Sequence, residues 1–306
     1  MFDGKKVILV LGGGGMRGLA HIGVLKVLAR NGIVPDEYIG CSGGALVAAL
    51  AAGGMMAEDI ERVGLSLRRK DVLDYNWWSL LWRRGRARSL YRGKAMHDTI
   101  RRVLPVDRWD QLQRPLYVNA VDLNSGTETF FGLPGLTDLP IHDAVVASCS
   151  IPGVYPPKRI GNRHFVDGGV LDILPIKMAV YNGAGIIIGV NLEGPEETPR
   201  GIERKGMVGI IDQSHTIIAR TLFQLQLERF REAPLVMIEP HVANHGVFQF
   251  ERTSEVITAG EHAAERVMLE HPMFRNARRY VDRTPRPEDI RTLPAPGPEA
   301  GRTATA

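Results

Sequence analysis

The chain has 306 residues, 44% of them apolar, which is enough to bury a full core in one large domain. Its formal charge of +4 is modest, and its two cysteines, Cys41 and Cys149, exclude a disulfide framework and lack the spacing of a zinc site. A reducing cytoplasm is therefore the expected compartment.

The opening residues, MFDGKKVILVLGGGG, carry an acid at Asp3 and glycines where a signal peptide would continue its hydrophobic region, so export by that route is not expected. The longest weakly polar run, Gly43 to Ala57, is too short and too rich in Gly and Ala to supply the about 20 apolar residues of a membrane span. A soluble or peripheral protein is expected.

In chain order, Val7 to Leu11 reads as a fully buried strand. Leu19, Ile22, Val24, Leu25 and Leu28 then repeat at helical spacing until Asn31-Gly32 stops them. Glu37 to Cys41 is a second short strand, followed by a helix over Ala45 to Ala52. Leu116 to Asp122 and Thr127 to Phe131 flank Asn124-Ser125-Gly126 and read as a hairpin. His164 to Val166 and Ile186 to Val190 are further strands, and Met207 to Arg231 and Ser254 to Leu269 are long helices. The sum is an α/β protein with a mostly parallel sheet covered by helices. Residues 1–274 form the expected domain, and the Pro- and Arg-rich segment 275–306 is expected to be a disordered tail.

Between the first strand and helix lies Gly13-Gly14-Gly15-Met16-Arg17-Gly18, which satisfies G-x-G-x-x-G. A dinucleotide fingerprint also needs an acid at the end of the second strand to hold a ribose. Asp36 and Glu37 fall in the right window but precede that strand. A Walker loop fails outright, because Gly18-Leu19-Ala20 stands where Gly-Lys-Ser/Thr is required. A third reading joins the loop to Gly40-x-Ser42-x-Gly44, a nucleophile-elbow pattern in which the serine occupies a tight strand-to-helix turn. Acyl transfer places negative charge on a carbonyl oxygen, and consecutive glycines at a helix N-terminus offer backbone N–H donors to it. Arg17 is either a nearby cation or a solvated helix-start residue. Cys41, on the strand side of the elbow, points into the sheet and is not the expected nucleophile.

The serine needs a proton acceptor. His21 repeats with the apolar face of the first helix and reads as a core residue, while His97, His215, His262 and His271 lie on helical segments with nothing distinctive nearby. His241 and His245 lie late enough in the chain to complete a Ser-Asp-His order, and so remain an alternative. Asp167 in HFVDGGVLDILP ends a short strand and is followed by two glycines. A free aspartate, with a pKa of about 3.9, is a poor base for serine, so Asp167 must sit where the protonated form is favoured. Asp172, five residues on, is expected to cap or pair structurally.

With these three motifs in order, the chain resembles the patatin-like phospholipases, and ASCSIPGVYPP, LNSGTE, IIIGVNLEG and FQFERTSEVITAGEHAA extend the resemblance toward the bacterial and neuropathy-target-esterase branch. The chain departs from that branch in placing Cys41 and Gly43 beside the serine. The resemblance implies a three-layer α/β/α fold with a mostly parallel central sheet. It also implies a lipid acyl hydrolase acting on phospholipid, lysophospholipid or another fatty-acyl ester. Ser42 then matches the nucleophile, Asp167 the base, and Gly13, Gly14, Gly15 and Arg17 the oxyanion-hole segment, with no cofactor and no metal. The rival readings are a triad esterase using His241 or His245, and a non-catalytic lipid- or nucleotide-binding module.

Arg62 to Arg102 holds twelve Lys/Arg against three acids, and Trp77, Trp78 and Trp82 stand there beside Arg83 and Arg84. Indole rings and arginines suit an anionic membrane surface, which would make the protein peripheral at the inner membrane face. A hydrophobic helix with a solvated arginine rim fits the same residues. Nucleic acid is not an expected partner, since no recognised binding fold accompanies the patch.

Overall fold

A computed structural model describes residues 4–76, 89–193 and 206–274. The tryptophan-bearing stretch with Trp77, Trp78, Trp82, Arg83 and Arg84, and the tail from Arg275, lie outside the described residues.

The strands are β1 (Val7–Leu11), β2 (Glu37–Gly40), β3 (Leu116–Asp122), β4 (Thr127–Phe131), β5 (Lys158–Ile160), β6 (Arg163–Asp167), β7 (Ile186–Val190) and β8 (Leu235–Ile238). They form one sheet in the order β5-β6-β3-β2-β1-β7-β8, with β4 also paired to β3. The run from β3 to β8 is parallel, and β4 and β6 lie antiparallel to β3. The helices are α1 (Ala20–Arg30), α2 (Gly43–Ala52), α3 (Ala57–Ser66), α4 (Arg69–Val72), α5 (Lys94–Val103), α6 (Ile141–Ser148), α7 (Ile176–Tyr181), α8 (Met207–Arg229) and α9 (Thr253–Glu270).

Strand geometry turns the apolar runs into three layers. Successive side chains point to opposite faces, so Val7, Leu9 and Leu11 of β1 join the core built with α1, α2, α6 and α9. Ile8 and Val10 pack instead with Ile39, Ile187, Ile176 and Met178, against which Phe223 and Leu227 of α8 close the second face. Both faces are buried, which is why β1 and β7 read as unbroken apolar stretches. The three-layer α/β/α architecture with a mostly parallel sheet is therefore observed. The sequence reading gave no element for α3, α4, α6, α7, β5 and β8, whose apolar periodicity is short, and marked α5 only by placing His97 on a helical segment. Among the described residues no helix is long and apolar enough to cross a membrane.

The first layer depends on one close helix crossing. A Cβ on Gly23 of α1 would overlap the Ile257 carbonyl oxygen of α9, and one on Gly260 would overlap the Ala20 carbonyl oxygen. Glu261 beside this crossing pairs with Lys26 at 2.6 Å and Arg30 at 2.8 Å. Gly260→Ala is expected to destabilise the fold by about 1–3 kcal/mol through overpacking, against a helix-propensity gain of no more than about 1 kcal/mol. A lower midpoint in chemical denaturation at unchanged slope is the measurement that checks it.

Candidate active site

Strand β3 brings the two ends of the site together. Gly40 pairs with Val118 in parallel register, and Asp167 pairs with Ala120 in antiparallel register. Strands β2 and β6 thus run toward each other along β3, and the chain leaving β2 meets the end of β6. Cys41 and Ser42 arrive beside Asp167 by this route.

Ser42 occupies the turn between β2 and α2, and with φ 51° it is the only non-glycine residue at positive φ among the described residues. Such a conformation costs on the order of 1–3 kcal/mol and persists only where its surroundings hold it. The flanking glycines permit the bend. A Cβ on Gly40 would lie 2.5 Å from the Ala45 Cα, and one on Gly44 would lie 2.5 Å from the Gly12 carbonyl oxygen. The backbone N–H of Ser42 donates to the Ser148 hydroxyl at 2.8 Å, fastening the turn to the last residue of α6.

The Ser42 hydroxyl lies close enough to the Asp167 carboxyl to favour its charged form, and close enough to the Cys149 thiol to oppose the upward push of burial there. Asp167 is buried at 5% exposure. Its Oδ1 accepts the Gly169 N–H at 2.8 Å and lies 3.8 Å from the Cys41 sulfur. Burial pushes its pKa up to about 6, against the opposing pull of Ser42, Gly169 and Cys41, which favour the carboxylate. Cys41 is fully buried, and burial together with neighbouring Asp167 drives its thiol well up, away from the reactive thiolate. Among the described residues no histidine hydrogen-bonds Ser42 or Asp167. His245 lends its backbone carbonyl to Arg17 and places its Nε2 at 4.0 Å from Glu255, while His21 is buried and donates from Nε2 to the Gly12 carbonyl at 2.8 Å. Burial lowers the His21 pKa to about 4, so this contact is made by a neutral ring.

His21 therefore sits beneath the glycine loop. Gly12 N–H donates to Val190 and Gly13 N–H to Ile173, which ties the start of the loop to its neighbours. The N–H groups of Gly14, Gly15 and Gly43 have no backbone acceptor among the described residues. Gly15 and Gly43 are in contact, since a Cβ on Gly43 would stand 2.5 Å from the Gly15 carbonyl oxygen. Gly43 was not among the residues the sequence singled out for this loop; its signal was its place immediately after the serine. Arg17 straps the loop to a distant segment, its Nε donating to the His245 carbonyl at 2.6 Å and its Nη2 to that of Ala243 at 3.1 Å. Met16 N–H adds a bond to Val247 at 2.9 Å.

Asp172 supports the turn after Asp167. Its backbone N–H donates to Gly168, its carbonyl accepts Asn119 Nδ2 at 2.8 Å, and its carboxyl accepts Gln226 at 2.7 Å. Lys177 lies 3.5 Å from that carboxyl and pairs with Glu128, and burial followed by repulsion from Glu128 raises Asp172 to about 7. These partners are structural ones, as the sequence suggested. The acids that a dinucleotide fold would use stand at the far end of the sheet. Asp36 exchanges hydrogen bonds with the backbone of Val7 at the start of β1, and Glu37 pairs with Lys6 and Asn182.

An elbow serine, a glycine loop and a buried carboxyl meet at the ends of β1, β2 and β6 in a mostly parallel sheet flanked by helices, an α/β architecture that known proteins share. The family model described as patatin-like phospholipase matches residues 9–180, and the chain belongs to this family. It is similar to an uncharacterized NTE family protein of Mycobacterium tuberculosis, 31% identical over 291 residues, which cover 88% of this chain and 47% of that protein. It is also similar to the lysophospholipase NTE1 of Debaryomyces hansenii, 28% identical over 201 residues, which cover 63% of this chain and 12% of that one. The chain spans about half the length of the mycobacterial relatives it matches. Its fold is shared with the crystal structure of VipD from Legionella pneumophila, at a TM-score of 0.52 and 14% identity over 87% of this chain and 67% of that one.

Ser148 was not singled out by spacing, although it lies in a segment that carries the family resemblance. Ser148→Ala would leave the buried Ser42 N–H unpaired and is expected to lower stability by about 1–3 kcal/mol. Ser148→Thr, which keeps the hydroxyl, should lose less; denaturation of the two variants side by side reads the difference.

Proposed function

We propose that the protein is a lipid acyl hydrolase that works through a covalent acyl-serine on Ser42, with Asp167 as the base. The observation that carries this reading is an elbow serine set against a buried carboxyl whose pKa desolvation holds near 6. A base is most effective when its pKa lies near the working pH, and desolvation moves Asp167 in that direction. Asp167 takes the Ser42 proton as the oxygen attacks the ester carbonyl, then returns it to the departing alcohol. Water repeats the exchange on the acyl-serine, with Asp167 again accepting and returning the proton. The oxyanion formed in each half faces the free N–H groups of Gly14, Gly15 and Gly43, beside the positive end of α2. Arg17 serves by holding the loop in place through the carbonyls of Ala243 and His245.

Membership of the patatin-like family and similarity to a lysophospholipase support phospholipid, lysophospholipid or a related fatty-acyl ester as the substrate class. The histidine-triad reading has less support, because neither His241 nor His245 bonds to Ser42 or Asp167. Nucleotide binding has less as well, because Asp36 and Glu37 lie at the opposite end of β2 from the glycine loop.

Asp167 makes activity and stability depend on pH in opposite directions. Activity requires its carboxylate, so kcat/KM is expected to rise as pH passes upward through about 6. Its folded pKa exceeds the unfolded value of about 3.9, so its contribution to stability is complete below that value and is lost as pH rises through the folded pKa. Asp167→Asn should abolish nearly all turnover and remove this part of the stability profile. An organophosphonate probe should add its mass at Ser42 in the wild type, while His241→Ala and His245→Ala keep most activity. Loss of activity in a folded histidine variant would transfer the case to the triad.

The glycine loop has its own test. A Cβ at Gly14 would lie 3.0 Å from Leu192 Cδ1, so Gly14→Ala must displace the loop or that side chain. The removal of one oxyanion donor costs about 10²–10³ in rate, and partial displacement should lower kcat well beyond any change in KM. Tight NAD or ATP binding that disappears in Gly14→Ala, with ester hydrolysis absent from both proteins, would overturn the hydrolase reading.

A further inference from the structure

We propose that His97, His142 and Asp143 form a binding site for a divalent transition metal ion, best suited to zinc, which joins α5 to the first turn of α6. His97 lies on α5, and His142 and Asp143 open α6. The three ligand atoms all lie within 4.8 Å of one another. His97 Nε2 is 3.4 Å and His142 Nε2 is 3.3 Å from the same oxygen, Asp143 Oδ1. Zinc binds nitrogen and carboxylate oxygen at about 2.0–2.1 Å, so the edges of its tetrahedron are about 3.3–3.4 Å. Two edges of the cluster already have that length.

The outer contacts say which nitrogens are available. His142 Nδ1 lies 2.8 and 2.7 Å from the two oxygens of Asp107, and Asp107 also accepts the His142 backbone N–H at 3.0 Å. His97 Nδ1 faces Asp98 Oδ1 at 3.5 Å. Carboxylates only accept, so His142 bonds Asp107 through an Nδ1–H, and its neutral ring then has Nε2 as the nitrogen able to ligate an ion; His97 directs its Nε2 at the same Asp143 oxygen. Carboxylate-held imidazoles converging on one point are how proteins orient zinc ligands, since the outer carboxylate fixes the tautomer and raises the basicity of the ligating nitrogen. Two imidazoles also favour a transition metal over calcium or magnesium, which prefer oxygen.

Lys158 of β5 pairs with the same Asp143 oxygen and competes for it, so metal binding must turn its ammonium toward solvent. The geometry also gives the ion a consequence. It would clamp the head of α6, whose last residue, Ser148, holds the Ser42 N–H about 9 Å along the helix axis. The site stands whether or not Ser42 is a nucleophile.

Calorimetric titration of the chelator-stripped, desalted full chain with zinc sulfate is expected to show one site per chain and a raised melting temperature, since the ion binds the native state. Asp107→Asn should weaken binding by about 10–100-fold, and His97→Gln at least as much, with the folds intact by circular dichroism. Lys158→Met, which removes the competing ammonium, should tighten it. Cobalt in place of zinc should give the visible absorption of a tetrahedral nitrogen–oxygen site without a thiolate charge-transfer band. Absence of zinc binding, equal affinity in wild type and a His97→Gln, Asp143→Asn double variant, or a thiolate band that assigns the ion to Cys41 or Cys149 would each overturn the proposal.

Discussion

Strand β3 imposes the constraint on which the rest of the site depends. It is long enough to pair with β2 at Val118 and with the oppositely directed β6 at Ala120, so two chain segments more than a hundred residues apart end against each other. A strand advances about 3.3 Å per residue, which leaves room for a turn between those ends and little else. The turn at Ser42 and the carboxyl of Asp167 face each other because hydrogen-bond register leaves them there. Side-chain contacts then refine a separation the backbone has already set.

Confinement at that junction also explains the electrostatics. Asp167 is enclosed by Cys41, Gly169 and Ser42 and makes no ion pair among the described residues. Desolvation outweighs the pull of these three neighbours toward the carboxylate, and the carboxyl stays near pKa 6. The same enclosure leaves no space for side chains on the surrounding backbone. A Cβ on Gly13 would lie 2.5 Å from Ile173 Cδ1, and one on Gly169 would lie 3.1 Å from Asp167 Oδ1. Close packing and a raised proton affinity are two results of one exclusion of water.

The supports of the site come from elements that share no local sequence with it. Neutral His21 props the Gly12 carbonyl from α1, Ser148 accepts the Ser42 N–H from α6, and Arg17 reaches the carbonyls of Ala243 and His245. Gln226 of α8 reaches across to Asp172, which holds the turn that follows Asp167. Each is a polar group that would be costly to bury alone. Together they give the glycine loop and the elbow their fixed positions.

Much of the framework was legible in the amino-acid order because its causes are local. Val7 to Leu11 and Ile186 to Val190 are continuous apolar runs and became central strands, the Asn124-Ser125-Gly126 turn produced its hairpin, and Gly40-x-Ser42-x-Gly44 lets the chain bend sharply between strand and helix. Asp167 could be chosen from sequence because two glycines follow it, but its raised pKa could not, since burial is a property of what packs around a residue. Nor could sequence decide which N–H groups of the loop are free: Gly13 gives its hydrogen to Ile173, a partner 160 residues away, while Gly14 and Gly15 keep theirs. Arg17 read as a local cation or a solvated helix-start residue and became a strap to residues 243 and 245. His97 and His142 carried no pattern at all, because ligand geometry between two helices depends on how those helices pack. Periodicity and turn chemistry act over a few residues and are written in order along the chain; register, desolvation and hydrogen-bond partners act across space, and only the folded structure decides them.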